Sequence, residues 1–319
     1  MRVLVTGGGG FVGRPLCREL VQEHDVMVLD SFRFGRQRVE SPDLAAVKFV
    51  EVDLLNAEAV ASEIQKFRPD AILHLAAIHY IPECEQNPTG AFATNVSGTV
   101  NLLASCPEDC RFLFVSSAAV YQPSLEPHRE DDPVVGTPGD LYGLTKLHGE
   151  HYTRYFARER GFPATIVRLF NVIGPGETNP HLLPEIAAQL EAGRRRIELG
   201  NLTPRRDYIH VLDAAHGFAQ LAVHGCSRPG EVEIYNLGRG QSWSVEDVVK
   251  AFSNALEEEV EIVVDQDRVR KVDRPNLCAD HARLAKALGW APERTLVDAV
   301  QDLWTSLDLP PELRKRYSS

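Results

Sequence analysis

Tyr142 and Lys146, four apart in "YGLTK", carry the most explicit chemistry in this 319-residue chain. On a helix their side chains share one face, about one turn apart. An unperturbed tyrosine phenol has a pKa near ~10 and is a poor base at neutral pH. A neighbouring ammonium favours the phenolate, which can then take a proton from a substrate hydroxyl. The segment "RFLFVSS" ends in Ser116 and Ser117, where a hydroxyl can hold the same substrate oxygen. Tyr–Lys pairs at this spacing also occur as ordinary surface pairs on helices. The functional reading therefore depends on what else the chain brings to them.

A second feature raises its weight. "VTGGGGFVG" holds Gly7, Gly10 and Gly13 between an apolar run and an amphipathic stretch. Glycine is costly to order, so a run of it marks a close backbone approach. Between a strand and a helix, such a turn lets backbone N–H groups and the helix start meet a pyrophosphate. Gly13 lets the helix pack close to the strand. The alternative is a glycine turn with no ligand. Asp30 ends the next apolar run, where a carboxylate accepts hydrogen bonds from an adenosine ribose. It would repel a 2′-phosphate, so NAD is favoured over NADP, although Arg33 and Arg36 follow closely. The positive charge of an oxidised nicotinamide would add to the pull on the Tyr142 phenolate.

These groups need a frame. Short apolar runs at "RVLVT", "DVMVLD", "VKFVEVD", "AILHLA", "RFLFVSS" and "ATIVRLF" alternate with helical stretches at 11–23, 57–67, 89–104 and 142–160. Strict alternation implies an α/β fold, a doubly wound parallel Rossmann sheet. After Asn171 the rhythm loosens into a Gly- and Pro-rich loop, helices near 183–192, 211–223 and 245–255, and short strands at "EIYNLG" and "EIVVD". We expect a dinucleotide-binding domain over 1–172 and a smaller C-terminal α/β lobe over 173–319. Segments near 207–240 are expected to return to the first domain.

Composition excludes other classes. The net charge of −11, without a long basic block, argues against nucleic acid or anionic membrane as partner. No apolar stretch is long enough to span a bilayer. The N-terminus runs directly into a strand, which points to a cytoplasmic protein. Six cysteines lie scattered, and the Cys106–Cys110 spacing suits neither a redox pair nor a zinc knuckle, so reduced thiols are expected. His148 and His151 lack further ligands and read as helix-surface residues, so no metal is expected.

At this point the chain resembles the extended short-chain dehydrogenase/reductase family that acts on nucleotide sugars. The resemblance rests on "TGGGGFVG", "VDLLN", "HLAA", "NVSGT", "VSSAAVY", "YGLTK", "RLFNVIGPG", "RRDYIHVLD", "YNLG" and "LGWAP". It implies Ser117, Tyr142 and Lys146 as the catalytic group. It implies Asp53 and Leu54 beside the adenine, and Phe11, Val12, Ser31, Leu75, Ala76, Ala77, Asn95, Ser116 and Phe170 along NAD. On the sugar-nucleotide side it implies Ser117, Asn171, His181, Leu182, Arg206, Arg270 and Leu277. Arginine suits a diphosphate because its planar fork binds oxygens in pairs. The competing role for Arg206 is an ion pair with Asp207 or another carboxylate, and for Arg270 a solvated loop charge. A homodimer through the 89–104 and 142–160 helices is implied by the same analogy.

The likeness also bears on the reaction. Dehydratases of this group carry acidic residues after the serine position, and decarboxylases usually carry one. This chain has Ala118 and Ala119 there, and alanine cannot shuttle a proton. The pattern is closer to the UDP-galactose 4-epimerase branch, which implies a nucleotide-sugar 4-epimerase with a UDP-sugar favoured. Leu277 stands where some epimerases place a bulky tyrosine, which would leave room for a 2-acetamido group. A 4-ketoreductase, a decarboxylase, a dehydratase, a 3,5-epimerase-like enzyme and a non-catalytic nucleotide-binding scaffold remain as alternatives.

Overall fold

A computed structural model describes residues 1–33, 35–177, 179–269 and 274–317. The strands are β1 (Arg2–Thr6), β2 (Asp25–Asp30), β3 (Lys48–Glu51), β4 (Ala71–His74), β5 (Arg111–Ser117), β6 (Ala164–Leu169), β7 (Asn171–Ile173), β8 (Arg196–Leu199), β9 (Arg205–His210), β10 (Val232–Leu237), β11 (Ser242–Trp243), β12 (Glu261–Val264) and β13 (Asn276–Leu277). The α-helices are α1 (Gly13–Leu20), α2 (Ala57–Phe67), α3 (Ile81–Gln86), α4 (Pro88–Phe92), α5 (Gly98–Ser105), α6 (Leu141–Arg160), α7 (Leu182–Glu191), α8 (Val211–His224), α9 (Val245–Leu256), α10 (Ala282–Leu288), α11 (Leu296–Thr305) and α12 (Pro311–Tyr317).

The parallel, doubly wound sheet expected from the alternation is present. Seven strands run in the order β3-β2-β1-β4-β5-β6-β10, all parallel. Alternating residues of β1 face opposite layers. Val3 and Val5 pack with Leu16 of α1 and Phe218 of α8, while Leu4 packs with Val60 of α2 and Leu102 of α5. Both faces of the strand are thus covered, which is why β1 reads as an unbroken apolar run. The strand order reverses between β1 and β4. A crevice opens there at the carboxyl ends of the strands, the place where such sheets take ligands.

A second core gathers Ile173, Ile186, Ile197, Val248, Phe252, Val300 and Leu313. It is framed by the small sheet of β7, β9, β11 and β13 and by the parallel pair β8–β12. Within 207–240, α8 and β10 join the large core, whereas β9 builds the small sheet.

One expected helix differs. The 89–104 stretch is divided into α4, a π-helical segment at Ala93–Ser97, and α5. The wider turn carries an extra residue. It brings Asn95 inward, where its amide holds both backbone groups of Ile78 (2.7 and 2.8 Å) and the Thr145 hydroxyl (3.0 Å). α6 starts where Asp140 accepts from the Gly143 N–H at 2.7 Å, an N-cap that sets Tyr142 in the first turn. Among the described residues, no helix is long and apolar enough to cross a membrane. All six cysteines are free and buried. His151 is exposed and His148 half-buried on α6.

Candidate active site

The crevice is a cavity of about 1180 Å³ that runs from the glycine turn into the second lobe. At its first end Gly10 N–H donates to the Gly7 carbonyl at 3.1 Å, and Arg14 N–H to the Gly10 carbonyl at 3.1 Å, so the turn passes straight into α1. Gly7 has φ +72°, and a Cβ there would sit 2.8 Å from the Ala76 backbone nitrogen. A Cβ on Gly13 would sit 2.6 Å from Gly8 Cα. A side chain at either place would collide with backbone and force the turn open. Asp30 accepts from the N–H groups of Gly9 (2.9 Å) and Phe32 (2.8 Å), which fixes its carboxylate on the cavity wall.

The basic residues after β2 have protein partners. Arg33 pairs with Glu83 at 2.6 Å. Arg38 donates to the Gly176 carbonyl at 3.0 Å and to Asp308 at 2.8 Å, and Arg14 reaches the same carbonyl at 3.0 Å. This clasp joins α1 to the loop that enters the second lobe. The Arg36 side chain and Arg270, both named from the sequence, lie outside the described residues.

Every other residue expected on the cofactor or the sugar nucleotide lines the cavity, except Asn95 and Ser116. Asn95 is buried and acts on the backbone of Ile78, as described above. Ser116 is buried and donates to Glu150 at 2.7 Å. Strand alternation is the reason: Ser117 faces the cavity, so Ser116 must face inward. Glu150 also takes both Nε and Nη2 of Arg168 at 2.9 Å, in an ion pair whose side chains are 3% and 4% exposed. The pair fastens α6, which carries Tyr142 and Lys146, to β6 behind the serine strand.

Ser117, Tyr142 and Lys146 converge on the cavity. The Lys146 ammonium donates to the Val115 carbonyl at 2.8 Å and lies 5.8 Å from the Tyr142 ring centre. Burial lowers its pKa to about 8. Burial also pushes the Tyr142 phenol above its ordinary value, opposed by a hydrogen bond with Ser117. The sequence led us to expect that Lys146 lowers this phenol. In the structure burial dominates instead, and the net direction for the phenol is upward.

The second half of the cavity brings together groups that spacing did not reveal. Arg274 donates to the carbonyls of Ala119 (2.5 Å), Tyr121 (2.8 Å) and Ala118 (3.4 Å), so its guanidinium clamps the turn after Ser117. Arg206 donates to the Arg274 carbonyl at 2.8 Å. Of the carboxylates that could compete for Arg206, its neighbour Asp207 points inward. The Asp207 carboxylate accepts from the N–H groups of Arg239 and Gly240 at 2.8 Å and Ala279 at 3.0 Å, and burial raises it to about 6. His79 faces the same space; burial lowers it to about 3, and Asn179 bonds it at 3.0 Å. His181 contacts the buried Glu177 carboxylate. Leu277 packs with Ala118, Tyr121 and Phe170 into an apolar wall beside the Ser117 turn. Among the described residues, no group of His, Cys, Asp and Glu could hold a metal ion.

Comparison with known proteins agrees with this geometry. Over 330 aligned residues the chain is 33% identical to a UDP-glucose 4-epimerase of Haemophilus influenzae, covering 95% of this chain and 96% of that one. It is 28% identical to a GDP-6-deoxy-D-mannose reductase of Pseudomonas aeruginosa, covering 94% and 95%. The structure is similar to that of UDP-glucose 4-epimerase from Bifidobacterium longum in complex with NAD+ and UDP, with a TM-score of 0.86, 27% identity and coverage of 97% and 99%. Residues 3–238 match the model of a single family, and the chain belongs to it: the NAD dependent epimerase/dehydratase family.

Proposed function

We propose that this protein is an NAD-dependent nucleotide-sugar 4-epimerase. One observation carries the reading: Ser117, Tyr142 and Lys146 open onto the same cavity as the glycine turn and Asp30, while Ala118 and Ala119 supply no acid there. The turn suits a dinucleotide: Gly7 and Gly13 let it pack against the Ala76 and Gly8 backbones, and Gly9, Gly10 and Phe11 line the cavity beside the start of α1. Asp30 would hold the adenosine ribose, and Asp53 and Leu54 the adenine. NAD bound there supplies a hydride acceptor and donor for the sugar C4, with no net redox change.

The chain's own residues do the rest. Ser117 holds the 4-hydroxyl and Tyr142 takes its proton, then returns one to the inverted oxygen. Lys146 supplies positive charge beside Tyr142 and holds the nicotinamide ribose. Arg206, with Arg270, would bind the diphosphate, and Asn171, His181 and Leu182 would line the path to it. A UDP-sugar is favoured. The aliphatic wall at Leu277 suits an N-acetylhexosamine as well as a hexose. We further read the protein as a cytoplasmic homodimer built on α5 and α6, where Tyr152, Tyr155 and the nearby Phe92 are exposed.

The likeness to a reductase keeps a second reading open, in which a 4-keto sugar is reduced and the nicotinamide is exchanged each cycle. Incubation with UDP-, GDP-, CDP- and dTDP-sugars, with and without 2-acetamido groups, tests both. Product analysis by NMR should reveal inversion at C4 without consumption of added cofactor. Stoichiometric oxidation of NADPH, or loss of water or carbon dioxide, would reject epimerisation.

A further inference from the structure

The far end of the cavity is built by α7, β8 and the segment after β12, elements that carry none of Ser117, Tyr142 or Lys146. Its walls include Leu183, Leu199 and Val245, and its polar groups include Glu185 and Arg268. Arg268 is held by several partners. It donates to Glu185 at 2.5 Å, Asp265 at 3.0 Å, the Glu198 carbonyl at 3.3 Å and the Tyr317 hydroxyl at 2.8 Å. Tyr317 is the last described residue of α12. It is buried, and its hydroxyl donates to the same Glu185 oxygen that Arg268 uses. The Arg194 guanidinium lies 4.9 Å from its ring centre. Arg316, also on α12, donates to the other Glu185 oxygen at 3.2 Å.

A guanidinium has five N–H donors in a rigid plane. Among the described residues, four hydrogen bonds to protein fix that plane. The arrangement leaves an Nη2 proton for a ligand in the cavity. Around it are aliphatic walls suited to a flat ring. A diphosphate held by Arg206, beside the Ser117 turn, would direct its nucleoside away from Tyr142 and toward this end.

We propose that Arg268 recognises the base of the nucleotide sugar by donating to a base carbonyl oxygen, and that Tyr317 and Glu185 act as positioning residues that hold it there. The C-terminal helix thereby sets nucleotide affinity although it lies outside the cavity. The proposal rests on the nucleotide-sugar reading above and deepens it.

Calorimetry on the full-length, NAD-loaded protein tests it with two probes, UDP and ribose 5-diphosphate, which lacks the base. Tyr317→Phe and Arg268→Gln should each weaken UDP binding roughly tenfold, the order expected for one hydrogen bond to a charged group. Binding of ribose 5-diphosphate should not change. In turnover the loss should fall on KM. Arg268→Gln keeps the Tyr317–Glu185 bond, so it serves if Tyr317→Phe melts early. Equal UDP affinity in wild type and Arg268→Gln would overturn the inference and leave the 4-epimerase reading intact. Equal weakening of both probes would overturn the base contact. Wild-type protein that binds neither probe would defeat the nucleotide-sugar reading and this inference with it.

Discussion

Lys146→Met is the substitution that best separates electrostatics from simple positioning. The Lys146 ammonium lies 5.8 Å from the Tyr142 ring, and both groups are withdrawn from bulk water. At an effective dielectric of about 20, Coulomb's law gives about 3 kcal/mol across that distance. That energy corresponds to about two pKa units on the phenol. Burial already holds Tyr142 above its ordinary value, so removal of the cation leaves only the Ser117 hydrogen bond to oppose it. With NAD and sugar nucleotide saturating, kcat should rise with pH as the phenol ionises. In the methionine variant this limb should move up by about two units, giving about a hundredfold loss near pH 7 that narrows at alkaline pH. In the wild type, Lys146 loses its own proton near pH 8, so the benefit should fade above that value. Stopped assays of epimer formation from pH 6 to 10 would measure both limbs. A loss of equal size at every pH would refute the argument, because it would mean that Lys146 acts only by holding other groups in place.

Other perturbations follow from the same geometry. Gly13→Ala drives a Cβ to 2.6 Å from Gly8 Cα, against backbone that cannot yield; we expect NAD titration to detect at least tenfold weaker binding. Arg168→Met leaves the Glu150 carboxylate buried without its partner, and urea unfolding should record a loss of about 3–5 kcal/mol, partly recovered in the Glu150→Gln double variant. His74 is buried between the hydroxyls of Thr6 and Thr99, 2.7 Å from each, and burial lowers its pKa to about 3. A histidine depressed in the folded state gives stability that is complete above its unfolded pKa near ~6.5 and drains as pH falls toward the folded value. His74→Asn should therefore flatten the fall in the urea midpoint between pH 6.5 and 4, where each such imidazole contributes up to about 1.4 kcal/mol per pH unit. His79, lowered in the same way, should keep part of that slope.

What could be read from the sequence was local. The glycine turn, the carboxylate ending β2 and the Tyr142–Lys146 face each depend on residues a few positions apart. Apolar runs without polar alternation pointed to strands covered on both faces, and β1 is such a strand. The hidden parts depend on distant contacts. Arg274 finds its partners at 118–121, more than 150 positions earlier, and no spacing rule reports that. Glu185 and Arg268 are 83 positions apart and meet only because β12 pairs with β8. The Ser116 side chain turns to Glu150 while Ser117 lines the cavity, a difference that strand alternation signals. Tyr142 shows that a charge pair in sequence says nothing of its desolvation, which dominates once the helix is packed.

The π-helical segment at Ala93–Ser97 constrains how this chain can change length. An α-helix turns through about 100° per residue. Deleting one residue there would restore regular helical winding and cost little in helix stability. It would also swing Asn95 by that angle, away from Ile78 and Thr145, and free the loop after β4 that borders the cavity. Such a shortened chain would fold and still lose its active-site wall, so the surplus residue acts as a phase-setter that deletions can silently erase.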